Sequence, residues 1–239
     1  MEDPKDKVVS FYDQFAEKQE KTGINSRHLS ILDKVMEAGL QAHHRVLEVG
    51  CGIGTVSHLL AGQVKKGEVL AVDISPESIE KARILWKDQK NLKFEVSDMS
   101  DFDKGELKFD FFVFPDVLEH IPVDQHQALF QKIQKHSHQD SVVFIHIPAP
   151  RYLQWMIENE PEKLQVIDQP LDSGDLIKGL TNNGFFLEKM ETYAIFFEEK
   201  DYQYFVFRAA KPLQKSTARS KWEILKERIS IRLKHGIIN

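Results

Sequence analysis

The sequence predicts an α/β fold built on a doubly wound, mostly parallel sheet. Three observations carry that expectation. Short β-rich runs alternate with helical patterns from Arg45 onward. Two of those runs, "FDFFVFPD" and "SVVFIHIP", are apolar at nearly every position, as strands covered on both faces are. The first run, "RVLEV", passes directly into glycines at 50, 52 and 54, where a strand-to-helix turn lets the backbone approach a ligand closely.

Taken in order, residues 5–20 and 26–38 read as amphipathic helices, the second ending near Gly39. "RVLEV" is the first strand and "TVSHLLAGQ" a helix ending at Gly62. "GEVLAVDIS" is the second strand. "SPESIEKARILWKDQ" is a helix with Ser75 as N-cap, Pro76 at its first position, and Glu77 and Glu80 near its positive end. "LKFEVSD" and "FDFFVFPD" are the third and fourth strands, 124–136 a helix and "SVVFIHIP" the fifth strand. A less regular stretch covers 151–172. Helix 173–182 then leads to two late strands, "FFLEKMETYAI" and "YQYFVFRAA".

Composition narrows the class. With 41% hydrophobic and 29% charged residues, the 239-residue chain suits a globular domain with a sizeable core rather than a disordered or fibrous one. No apolar run reaches membrane-spanning length, and the charged start "MEDPKDK" lacks the apolar centre of a secretory signal. Cytoplasmic residence is the expectation. Cys51 is the sole cysteine, so neither an intrachain disulfide nor a Cys-based zinc site is expected, and no metal is called for. Charge is split unevenly. From Lys211 to Asn239, eight basic and two acidic side chains give +6, whereas residues 1–210 carry 24 basic and 35 acidic side chains, −11. An acidic body repels phosphate backbones, which argues against a nucleic-acid partner.

The glycine turn admits two cofactor classes. A dinucleotide fingerprint counted from Gly50 and Gly52 requires a third glycine at 55, where Thr55 stands. Glu48, just ahead of the turn, suits a positively charged cofactor better than a pyrophosphate. Asp73 ends the second strand, where a carboxylate can accept hydrogen bonds from both ribose hydroxyls. Asp98 ends the third, where an acid can reach an adenine amino group.

With "LEVGCGIGT", "VDIS", "SD" at 97–98 and "FDFFVFPDVLEHIP", residues 1–210 resemble the class I S-adenosylmethionine-dependent methyltransferases. "FYDQFA" at 11–16 also resembles the N-terminal lid of the family's small-molecule branch. The resemblance implies a seven-stranded sheet of Rossmann-like form whose last strand is antiparallel. It also implies a methyltransferase domain over 1–210, with a helical lid at 1–40 and an acceptor-side insert at 150–172, ahead of a basic tail at 211–239. S-adenosyl-L-methionine is the implied cofactor. Glu48, Gly50, Cys51, Gly52 and Gly54 would wrap its methionine part. Asp73 and Ile74 would meet the ribose, Asp98 and Met99 the adenine, and Asp116 would lie near the amino-acid end.

The expected acceptor is a small polar molecule, methylated at a hydroxyl oxygen, with sugars and glycan precursors as one class that fits. N- or C-methylation on the same fold is the alternative. A non-catalytic cofactor-binding regulator is the alternative of another class. Histidine suits proton removal near neutral pH, and His120 and His146 follow the fourth strand and end the fifth. For each, a structural role is the competing reading. His43, His44, His126, His136 and His138 read as solvated, and His58 as a helix-face residue. Acceptor contacts are expected from Tyr12, from Arg27 with Asn25 and His28, and from Arg151, Tyr152 and Trp155 of the insert, which also carries Gln154, Gln165, Asp168 and Gln169.

In the tail, Trp222, Leu225, Ile229 and Leu233 recur at spacings of three, four and four, predicting a basic amphipathic helix. Self-association or packing on the acidic body is one role open to it, and peripheral contact with anionic lipid is the other.

Overall fold

A computed structural model describes residues 20–165, 167–212 and 217–237. The first expected helix therefore lies outside the described residues except for its end, where 20–22 are helical. Helix α1 (Ser26–Glu37) opens on a cap in which the Asn25 side chain accepts from the Arg27 and His28 amides while His28 accepts from the Asn25 amide. Then follow β1 (Arg45–Val49), α2 (Thr55–Gln63), β2 (Glu68–Asp73), α3 (Pro76–Leu85), β3 (Leu92–Val96) and β4 (Phe111–Pro115). A 3-10 turn (Leu118–His120) leads to α4 (Val123–Lys135), β5 (Val142–Pro148), α5 (Pro150–Asn159), α6 (Ser173–Asn182), β6 (Phe185–Tyr193), β7 (Tyr202–Ala209) and α7 (Lys221–Lys234).

The strands form one seven-stranded sheet in the order β3-β2-β1-β4-β5-β7-β6. Strands β1 to β5 pair in parallel, and β7 runs antiparallel to both β5 and β6. The strand order reverses between β1 and β4, so the loops after these two strands diverge and open a crevice at their carboxyl ends. Both sheet faces are covered. Val46, Phe111, Val113 and Phe144 pack with Ile31, Val35 and Leu60 on one side. Leu47, Phe112, Phe114 and Val143 pack with Phe130, Ile133 and Leu180 on the other. This period-two division of continuous apolar runs is what a doubly covered parallel sheet requires.

The structure departs from the sequence reading in three places. Helix α5 occupies the first half of the stretch read as irregular. Pro150 at its first turn is preorganised for a helix start, and Leu153, Met156 and Ile157 recur at three- and four-residue spacing as an apolar face that the sequence reading passed over. Strand β3 stops at Val96, two residues before Asp98. His126 and His136 are buried, not solvated. Their rings bond to the carbonyls of Leu118 and Ile121, and of Leu107, so they satisfy loop backbone.

Candidate active site

The glycine turn is strung from the neighbouring strand. The amides of Gly50 and Cys51 both donate to the Val72 carbonyl, at 2.8 and 3.0 Å. The Gly52 amide donates to Asp73 Oδ2 at 2.8 Å, and the Ser75 amide to Asp73 Oδ1 at 2.9 Å. Asp73 thus fixes both the turn after β1 and the cap of α3. Gly50 has φ of 77°, and a Cβ there would lie 2.3 Å from Val117 Cγ2, so glycine is required by conformation and by space.

A cavity of about 1020 Å³ opens over this turn. That is at the upper end of the roughly 300–1,000 Å³ usual for a single ligand, and leaves space for two. Glu48, Gly50, Cys51, Gly52, Asp73 and Ile74 line one end. Asp98 and Met99 lie beside them, beyond β3. Here Met99 adopts φ of 66° and Asp98 Oδ1 accepts from the Ser100 amide and hydroxyl. Glu48 is fully buried, and neither of its carboxyl oxygens has a hydrogen-bond partner among the described residues. Burial pushes it up to about 8, with the nearby Ser57 hydroxyl pulling down and the Asp73 charge adding to the rise. A buried polar group left in this state is costly unless something completes it.

The other end is built by Arg27, Asp116, the 118–120 turn and the 165–168 segment. Asp116 follows β4 at φ of 55°. Its carboxylate pairs with the Arg27 guanidinium, and its Oδ1 lies 2.5 Å from His146 Nδ1. Burial works against ionisation of Asp116, but the His146 and Arg27 partners outweigh it and hold the group at about 2. His146 Nε2 is 2.7 Å from the Tyr193 hydroxyl, which also accepts from Ser30 of α1. The chain Arg27–Asp116–His146–Tyr193–Ser30 therefore leaves α1, crosses three strands and returns to α1.

His120 sits where the turn meets the insert. Its Nδ1 is 2.6 Å from the Ile167 carbonyl and 3.3 Å from Asp168 Oδ1, and Nε2 is 3.7 Å from Glu119 Oε1. A carbonyl can only accept, so the short contact assigns the proton to Nδ1 and leaves Nε2 as the basic nitrogen. Burial lowers the His120 pKa, against the raising effect of the Ile167 carbonyl and Asp168. Glu119 is 1% exposed, and its carboxyl oxygens have no hydrogen-bond partner among the described residues. Burial, with the Asp116 charge, raises its pKa well above the carboxylate range.

Several expected site residues stand elsewhere. Gly54 does not line the cavity. It caps α2 at φ of 79°, and a Cβ there would lie 2.6 Å from the Phe94 ring and 3.0 Å from Trp86, so glycine is required by conformation and space. His146 is fully buried behind Asp116 and stacked on Tyr202 with ring centroids 4.8 Å apart, which removes it from the cavity wall. Arg151, Tyr152 and Trp155 lie on α5 outside the lining, the two aromatic rings stacked on each other. The insert contributes Gln165, Ile167 and Asp168 instead. Tyr12 lies outside the described residues. Glu119 and Tyr202 were not singled out from the sequence. Glu119 was visible only as part of "LEH", while Tyr202 reaches the cavity because antiparallel β7 starts at the end where β5 finishes.

Residues 46–140 match the family described as a methyltransferase domain. With the seven-stranded sheet, the match gives this chain the fold of the class I methyltransferases. The donor used by such domains is S-adenosylmethionine. A malonyl-[acyl-carrier protein] O-methyltransferase of Ilyobacter polytropus is 29% identical over 99 residues, 41% of this chain and 34% of that protein. An (S)-coclaurine N-methyltransferase of Papaver somniferum is 28% identical over 129 residues, 53% of this chain and 36% of that protein. The chain thus spans about a third of the length of these curated relatives. The methyltransferase fold extends beyond the matched segment. A TehB-like S-adenosylmethionine-dependent methyltransferase from Corynebacterium glutamicum superposes with a TM-score of 0.61 at 19% identity, covering 84% of this chain and 98% of that one.

Proposed function

We propose that the protein transfers the methyl group of S-adenosylmethionine to a hydroxyl oxygen of a small polar acceptor. The residues present fit the cofactor. Glu48, buried and unpartnered at the cavity wall, is a carboxyl awaiting a cationic donor such as the cofactor's amino group. Gly50 and Gly52 leave the backbone bare beside it, and Asp73, Ile74, Asp98 and Met99 take the nucleoside end. When bound, S-adenosylmethionine supplies an electrophilic methyl group on a sulfonium that departs as a neutral thioether. The chain's own task is then to align the acceptor, exclude water and remove one proton.

His120 carries the reading for the acceptor. Its Nδ1–H is held by the Ile167 carbonyl, so Nε2 is oriented to take the hydroxyl proton. Asn25, Arg27, Gln165 and Asp168 provide the polar lining that suits a hydroxylated acceptor such as a sugar or a glycan precursor. Glu119 supports a second reading. A buried carboxyl beside His120 can also hold an amine, and the Papaver somniferum relative is named an N-methyltransferase.

A screen of metabolite pools with methyl-labelled cofactor, read by mass spectrometry, identifies the product and the methylated atom. His120→Ala is expected to lower turnover by about 10²–10⁴ with cofactor affinity unchanged. Near-full turnover of a hydroxyl acceptor by that variant refutes the role of His120. A methylated nitrogen in the product replaces the first reading with the second.

A further inference from the structure

We propose that α7 is a docking surface for anionic lipid. The helix is intrinsically well started. Ser220 accepts from the Glu223 amide and Glu223 accepts from the Ser220 amide, a reciprocal cap. No side chain of α7 is buried, and among the described residues it makes no hydrogen bond or ion pair to the rest of the chain. Its one ion pair, Arg219 with Glu227, is internal to the tail. Six large apolar side chains on it face solvent, Trp222 at 73% and Leu233 at 66% exposure among them.

The arrangement around the helix decides the partner. At about 100° per residue, Trp222, Leu225, Ile229 and Leu233 form one apolar stripe, and Ile224 and Ile231 a second. Lys221, Arg228 and Arg232 run between the two stripes. Apolar and basic side chains therefore share an arc of about 200°. Both acids, Glu223 and Glu227, lie on the reverse with Ser230, alongside Lys226 and Lys234. Lys221, Arg228 and Arg232 give the apolar arc a positive centre, which an anionic surface attracts. A lipid interface accepts it, because apolar side chains sink below the headgroups while Lys and Arg extend to the phosphates. With five basic and two acidic residues, α7 carries +3. The acidic body points away from an anionic surface by charge, so the helix and not the body makes the contact.

The test uses the full-length protein and vesicles of phosphatidylcholine, alone or with one third phosphatidylglycerol. Co-sedimentation with the anionic vesicles is expected at about 50 mM salt and release at about 300 mM, where screening shortens the reach of charge. Each basic residue near the surface is worth about fivefold in partition, so Arg228→Gln with Arg232→Gln should weaken binding about twenty-five-fold. Ile229→Ser should weaken it at unchanged charge. Retained S-adenosylhomocysteine binding shows that each variant is folded. Full-length protein that ignores anionic vesicles at low salt overturns the proposal. So does a sedimentation-detected dimer that the double Gln variant abolishes while vesicles have no effect, which would assign the helix to the acidic body of a second copy.

Discussion

Glu48 offers the sharpest test of the cofactor reading. With a folded-state pKa of about 8, the group is about nine-tenths protonated at pH 7. If the cofactor's ammonium pairs with it, the carboxyl ionises and about 0.9 proton leaves for each molecule bound. S-adenosylhomocysteine carries the same amino group, and calorimetry in buffers of different ionisation enthalpy counts the protons. The Glu48 contribution to affinity should rise about tenfold per pH unit well below 8 and level off above it. Glu48→Gln keeps the shape and removes the titration, so the pH dependence due to this group should vanish. The cofactor's own amino group titrates alike in both proteins and cancels in the comparison. At pH 7 the variant forfeits a charge-assisted hydrogen bond of about 1.5–3 kcal/mol but escapes an ionisation cost of about 1.4 kcal/mol, so its affinity should fall at most about fifteenfold. The same shift acts on stability. A carboxyl whose folded pKa is raised contributes stability below its ordinary value near 4.5 that is lost as pH rises through about 8. The Gln variant should therefore lose less stability between pH 5 and pH 8. Equal proton release by wild type and variant would show that no cation meets Glu48.

Asp73→Ala should weaken S-adenosylhomocysteine binding by about 2–4 kcal/mol, since it frees the Gly52 and Ser75 amides as well as removing acceptors for the ligand, and unchanged affinity in titration calorimetry takes Asp73 out of the site. Gly50→Ala, which drives a Cβ into Val117 at positive φ, should abolish cofactor binding or lower the melting temperature, and a variant normal in both contradicts the turn geometry. His146→Phe keeps the ring against Tyr202 but deletes the bonds to Asp116 and Tyr193, a loss of about 2–4 kcal/mol in urea unfolding. Because Asp116 is held at about 2, its share of stability is present above its ordinary value near 3.8 and is lost as pH falls toward 2. That acid-side loss should shrink in the variant, and superimposable wild-type and variant curves between pH 5 and 2 refute the pairing.

The glycine turn and the place of Asp73 at the end of its strand were legible because they depend on local sequence, whereas β3 stops short of Asp98. A strand followed by Gly50 and Gly52 constrains its own backbone, and Asp73 closes its own strand. Between the two roles open to His146 the sequence could not choose, because its neighbours are not local. The partners that enclose it, Asp116 and Tyr193, come from β4 and β6, and no pattern around "FIHIP" reports them. Gly54 failed for the same reason, since its need for a missing side chain is set by Phe94, forty residues on. Arg151, Tyr152 and Trp155 had suitable chemistry, but helix α5 turned them away from the cavity. Glu119 was hidden by its own ambiguity. A Glu next to a His after a strand reads as a solvated pair until burial shows otherwise.

The path from Arg27 to Ser30 through β4, β5 and β6 makes one wall of the cleft a door with two bolts on a single rod. The two bolts sit three residues apart on α1, and each is anchored to the same bonded run of side chains. Swinging α1 outward has to draw both bolts at once, so half-open positions gain nothing from either. Amides along α1 should then exchange with solvent as a block, in step with the amides at the far edge of the sheet.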